Sequence, residues 1–262
     1  MDAAIRATVN RMDFSRRLRV YALESRAQFL SVWRVPAFSV PTLVFPLMFY
    51  VFFGIIMGTR GLSLVMPTYL LATYGVFGII GPALFGFGLG LSTERSDGTL
   101  LLKQTTPMPP AAYLVAKLSM ALLFSSLIIL GLFCMGGYLA GVELYRWQWF
   151  TLAGVLLLST LPFCAMGLAI GTWVKAQAAM ALVNAVYLPM AFLSGLWFPV
   201  MAFPTVLQKL ANIFPAYHAA QLCLKVIDMD QGQSAVLHLG VLIFYTMAFL
   251  ALAAVGMRRP LA

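Results

Sequence analysis

The sequence predicts an all-α polytopic membrane protein with six transmembrane helices, and three observations predict it. Hydrophobic residues make up 62% of the chain and charged residues only 10%. Six stretches carry no charge at all: 35–59, 61–93, 118–142, 147–174, 176–208 and 231–257. Each exceeds the roughly 20 apolar residues a helix needs to cross a hydrocarbon core about 30 Å thick, and a buried soluble helix has no need of such a run. The third observation is where the charge sits. With the spans alternated from a cytoplasmic N-terminus, 13 of the 17 Lys and Arg fall inside, and only Arg60, Arg146, Lys209 and Lys225 fall outside. This bias places both termini in the cytoplasm. It also explains the net charge of +9 without a nucleic-acid partner.

Residues 1–34 read as a cytoplasmic N-terminal segment containing a helix. Because the first apolar run begins only after this charged stretch, a cleaved signal peptide is not expected. From residue 9 to 34 there is no Gly or Pro. Phe14, Leu18, Tyr21, Phe29 and Val32 fall on one side and Arg16, Arg19, Arg26 and Arg34 on the other, with Leu23 and Leu30 spoiling the polar face. The pattern predicts an amphipathic helix in the membrane interface, with Arg near lipid phosphates and Trp33 at the aromatic belt.

Residues 35–262 hold the six spans. The first is expected over 36–59 and the second over 66–92, joined by a short outer turn at Arg60 and Gly61. Gly54/Gly58, Gly86/Gly90, Gly137/Gly141 and Gly167/Gly171 have the spacing that lets helix backbones approach closely in lipid. Gly86, Gly88 and Gly90 are no dinucleotide fingerprint, because no strand precedes them. The third span is expected to begin near Lys117. The uncharged run 176–208 is broken by Pro189, Gly195, Pro199 and Pro204, so the fifth span is expected to end near Ser194 and the sixth to open near Ser234. Between them, 196–226 reads as short helices forming a re-entrant outer hairpin, since irregular backbone at membrane depth must be covered by protein or a water-filled cavity.

The chain is chemically sparse. It contains no P-loop and no His-Glu-x-x-His, only two histidines, and three cysteines (Cys134, Cys164, Cys223) with no metal or disulfide spacing. No catalytic residue, metal ligand or cofactor is expected in this chain. All eight carboxylates, Asp2, Asp13, Glu24, Glu94, Asp97, Glu143, Asp228 and Asp230, lie between spans or in the N-terminal segment. Ion-coupled carriers place such groups within the membrane, so an energy source in another chain is expected.

The loop 94–117 is the largest polar element between spans. Ser92 or Thr93 is placed to cap a short helix, and Pro107, Pro109 and Pro110 to stop it. Glu94-Arg95-x-x-Gly98-Thr99-Leu100, followed by Thr106-Pro107, Tyr113 and Lys117, resembles the cytoplasmic loop of the ABC type-2 exporter permeases. The segments 188–199 and 212–222 resemble the same family in its drug- and lipid-export branch. The resemblance implies a six-span exporter domain over 35–262, working as a homodimer or with a paralogue in the bacterial cytoplasmic (inner) membrane. It also implies two separate ATPase subunits that bind ATP and Mg. Residues 94–106 would be the coupling helix, with Glu94, Arg95, Gly98 and Thr99 at the joint and Leu100, Leu101 and Leu102 as docking face. The sequence departs from the family at Leu101, where many relatives carry an acidic residue, so a more apolar docking is expected.

The spans offer many aromatics and few polar groups. Tyr50, Phe53, Tyr187, Trp197 and Phe198, with the lone mid-span amide Asn184, are candidates for a route suited to an amphiphile, a lipid-linked molecule or a hydrophobic drug. Asn184 is expected inside the bundle, held by a helix–helix hydrogen bond or a substrate. A non-transporting anchor or sensor and a secondary transporter are the alternatives; the latter lacks matching broken helices in the two halves.

Overall fold

The computed structural model describes residues 13–57, 66–106 and 108–258. The expected outer turn at Arg60 and Gly61, Gly58, Pro107, residues 9–12 of the first helix and the charges Asp2, Arg6, Arg11 and Arg259 lie outside them. The described residues contain helices and no strand. Helix α1 is Phe14–Trp33, and six helices are long and apolar enough to cross a membrane. These are α2 (Pro36–Ile56), α3 (Met66–Ser96), α5 (Ala111–Leu139), α6 (Arg146–Trp173), α7 (Ala176–Leu193) and α10 (Ala235–Met257). Between α3 and α5 lies the short α4 (Thr99–Gln104). Between α7 and α10 lie α8 (Thr205–Ala211) and α9 (Pro215–Val226).

The most apolar part of α3 is 94% buried, against 22% for α2 and 17% for α10, so α3 is the axis of the bundle and the others surround it. Glycine makes this possible. A Cβ on Gly167 would stand 2.8 Å from Ala83 O, and one on Gly171 would stand 2.9 Å from Gly88 O, so α6 and α3 meet backbone to backbone. The spacing of Gly167 and Gly171 in the sequence anticipates this seam.

Several boundaries differ from the expectation. The second span does not end at Ser92; α3 runs on through Glu94 and Arg95, and the break falls at Gly98, whose φ of 72° is left-handed. Ser92 is buried and its hydroxyl donates to Leu89 O in the preceding turn (2.9 Å) rather than capping a new helix. The third span begins at Ala111, with Lys117 nearly two turns inside α5 and only 2% exposed. Glu94 and Lys117 neutralise each other, which lets both helices carry charge beyond the expected ends. Pro189 lies within α7 without ending it, and the turn comes at Gly195 (φ 75°). Membrane helices tolerate proline where neighbours cover the freed carbonyl. Ser194 closes α7, and Ser234 caps α10 by accepting from the Leu237 N–H (3.3 Å), both where the sequence places them.

Helix α1 packs along α5. Phe14, Leu18 and Leu23 are exposed, while Gln28 is buried and Phe29 sits between Trp33 and Phe124, at ring separations of 5.6 and 5.5 Å. The stripe that meets the bundle therefore includes polar residues, which have partners there.

Candidate functional site

Four helices converge where α3 hands over to α4. Lys117 on α5 donates to Glu94 Oε1 on α3 (3.0 Å) and, at 3.4 Å, to Gly86 O. Gly86 belongs to a stretch, Phe85–Leu89, wound as a wider π-helical turn, and the ammonium reaches its carbonyl. A Cβ on Gly90 would stand 3.1 Å from the same Nζ, so glycine there leaves room for the lysine. Lys103 on α4 lies 2.9 Å from Glu24 on α1 and 4.0 Å from Glu94 Oε2. The ring of Tyr113, on α5, has the Lys103 and Lys117 ammoniums 5.2 and 5.3 Å from its centre.

Two carboxylates and two ammoniums thus alternate along Glu24, Lys103, Glu94 and Lys117, joining α1, α4, α3 and α5 in one network. Its members are between 2% and 25% exposed, so solvent screens them far less than a surface pair. On the other side of the joint, Arg95 donates to Thr172 O at the end of α6, and Ala176 N–H donates to Ser96 Oγ (3.4 Å) at the start of α7. Trp173 Nε1 in turn donates to Leu252 O of α10 (2.9 Å). The last turn of α3 is therefore tied to α1, α4, α5, α6 and α7, and through α6 to α10.

Helix α4 hangs from this joint. Leu100 is half-buried against the core, whereas Leu101 and Leu102 are 54% and 68% exposed. Thr99 and Gly98 are exposed at its start, and a Cβ on Gly98 would meet nothing within 4 Å. Only the backbone conformation demands glycine there. Of the seven residues that the sequence singles out in this loop, Glu94 and Arg95 are tied into the bundle, Gly98 and Thr99 form the turn, Leu100 faces inward, and Leu101 and Leu102 face out. Glu24 and Lys103 were missed, because 79 residues separate them in sequence, and Tyr113 and Lys117 were named in the motif but not as members of this network.

The second candidate set lies toward the other end. Tyr50 is fully buried and donates to Pro67 O (3.2 Å); Tyr187 donates to Phe77 O (3.1 Å) and stacks on the Phe77 ring at 5.3 Å. Trp197 meets Phe49 at 6.0 Å and Phe77 at 5.7 Å, and Phe198 meets Phe53 at 5.9 Å. Phe53, Tyr187, Trp197 and Phe198 are thus joined in one aromatic patch through Phe49 and Phe77, whereas the Tyr50 hydroxyl points to Pro67 and toward Gly136 of α5. Asn184 stands apart from the patch. Its amide donates to Met180 O in its own helix (3.0 Å) rather than to another helix among the described residues. The described residues contain no group of His, Cys, Asp or Glu fit to hold a metal ion.

Comparison with known proteins agrees with this architecture. Residues 21–227 match the family model described as ABC-2 type transporter. The chain is 26% identical over 236 residues to YvfS of Bacillus subtilis (strain 168), a protein named as a transport permease, covering 90% of this chain and 96% of that one. The family match takes in α1, the α3–α4 joint and the helices up to α9, and so the chain belongs to the ABC-2 type transporter family, as a multi-pass membrane transport permease.

Proposed function

We propose that the chain is the membrane subunit of an ATP-driven exporter in the bacterial cytoplasmic membrane, energised by two copies of a separate ATPase subunit that bind ATP and Mg. The observation that carries this reading is α4: a six-residue helix with two leucines turned outward, anchored by four charged residues to three other helices. Exposed leucines on a polar loop need a protein surface to cover them. Motion of a body docked there reaches the bundle through ion pairs and short backbone bonds rather than through a flexible linker. On this reading 94–106 is the coupling element, 35–262 the transport domain, 196–226 the outer gate, and 1–34 a cytoplasmic segment whose exposed Phe14 and Leu18 rest in the lipid interface.

Two permease copies, identical or paralogous, would enclose the route. The aromatic patch of Phe53, Tyr187, Trp197 and Phe198, with the buried Tyr50 on the same helix as Phe53, suits an amphiphilic or hydrophobic substrate such as a drug or lipid-linked molecule. The test is purification of the full chain from its own membranes, followed by reconstitution of what co-purifies into vesicles. The expected result is an ATPase in equal number with the permease, and ATP-dependent movement of a lipophilic cation or labelled phospholipid. A permease that purifies without any ATPase, or moves the probe on an ion gradient alone, would contradict the reading.

A further inference from the structure

Helix α9 is buried along almost its entire length, against α3, α6 and α10. The chain's only two histidines meet there. His218 on α9 and His238 on α10 are 3% and 0% exposed, and their Nδ1 atoms are 2.8 Å apart. His218 Nε2 lies 2.9 Å from Asn212 O, an acceptor only, so that nitrogen carries a proton. With both rings neutral, His218 Nδ1 is then a bare acceptor and His238 Nδ1–H is the donor between them. This leaves His238 Nε2 deprotonated, and that atom is buried with no hydrogen-bond partner among the described residues.

The arrangement tolerates only one proton inventory. A proton added to His238 Nε2 makes a buried cation with a donor that has no acceptor. A proton added to His218 Nδ1 sets two N–H groups head to head at a separation of 2.8 Å. We propose that His218 and His238 form a proton-operated latch, which holds α9 to α10 while both rings are neutral and releases it when they charge. Two protons from the bathing solution are taken up in opening, and the same two leave in closing.

The groups facing the pair set its working range. Tyr217, next to His218 on α9, packs its ring at 5.3 Å from His218 and 6.2 Å from His238. Lys225 at the end of α9 and Asp230 in the following loop bond each other at 2.8 Å, so their charges largely cancel at the pair. From α3 comes Tyr69, which interacts with Tyr217; α10 adds Tyr245, whose hydroxyl donates to Ile213 O; α6 brings the neutral Gln148 to Val226 O (2.9 Å). Burial holds the His218 imidazole below its ordinary value. The closed state therefore binds fewer protons than an opened one. Its stability is full above about pH 6.5 and is lost as pH falls below that value.

Opening the latch reaches further than α9. Tyr217 donates to Gln231 Oε1 (2.9 Å), and Gln231 N–H donates to Gln221 Oε1 (2.9 Å). Gln221 and Gln231, with Tyr69, Pro199 and Val200, line a cavity of about 230 Å³. Release of α9 loosens one wall of that cavity. The consequence for transport rests on the reading of 196–226 as the outer gate, but the latch itself does not.

Hydrogen exchange of the full chain in detergent, compared at about pH 7.5 and about pH 5.5 after correction for intrinsic exchange rates, tests the latch without any transport assay. Amides of 215–226 are expected to exchange about tenfold faster at the lower pH in the wild type, and with no such rise in His238→Gln, whose amide stays neutral. Equal protection at both pH values, or the same rise in the variant, overturns the proposal. Histidine-labelled NMR of the wild type needs no variant. Both rings neutral near pH 7.5, with His238 Nε2 bare, is the expected result, and a charged ring at that pH overturns it.

Discussion

Lys117 is 2% exposed and its one close carboxylate, Glu94, is a fifth exposed, so each needs the other. Replacing Glu94 by Gln strands a buried ammonium, a change that costs roughly 3 kcal/mol when one partner of a buried pair is removed. Thermal unfolding in detergent is expected to show that loss, and the double variant Glu94→Gln, Lys117→Met is expected to regain most of it. A single variant as stable as the wild type would mean that water reaches Lys117. Gly98 calls for a different substitution, because no atom crowds it and only its left-handed φ excludes a side chain. Gly98→Ala is expected to cost about 1 kcal/mol, seen as faster hydrogen exchange across 96–104. The sequence marks Glu94, Gly98 and Lys117 through a motif, but it hides the pairing of Lys117 with Glu94, which lies 23 residues upstream and comes near only when α3 and α5 pack. A lysine at the edge of an apolar run reads as a loop charge until that partner is known.

At the scale of elements, glycine lets α3 and α6 meet backbone to backbone. Gly171→Leu places side-chain carbon against Gly88 O and Phe87 O, each 2.9 Å from the Cβ position, and is expected to cost 1–3 kcal/mol by forcing backbones apart. Gly154→Leu on the same helix meets nothing within 4 Å and serves as the control, expected to be close to neutral. Equal effects of the two substitutions on unfolding in detergent would show that helix propensity, not the seam, governs α6. Helix existence was readable from charge-free length, and the ends at Ser194 and Ser234 from turn and cap residues. The end of α3 was not, because polar residues usually leave the membrane and here Glu94 and Arg95 stay helical by bonding α5 and α6. The face of α1 that meets α5 was not legible for a similar reason. Its hydrophobic stripe does not coincide with the face that meets α5, where Gln28 is buried and Glu24 engages Lys103.

For the molecule as a whole, six uncharged runs sufficed to set the number of spans, since an unpaired charge in hydrocarbon is too costly to be common. Which helix stands at the centre was not legible, because every span is similarly apolar and only packing distinguishes the buried α3 from the exposed α10. The aromatic candidates Phe53, Tyr187, Trp197 and Phe198 gather in one patch, whereas Tyr50 bonds Pro67 O and Asn184 bonds its own helix. The central claim is that a separate ATPase drives this bundle through α4. The most direct measurement is the affinity of that ATPase for the permease in nanodiscs, compared between the wild type and Leu101→Asp, Leu102→Asp. Both leucines are exposed and make no part of the core, so the variant is expected to fold while losing roughly a hundredfold or more in affinity, with ATP-driven transport lost alongside. An ATPase that binds and drives the double variant as it does the wild type would contradict the account.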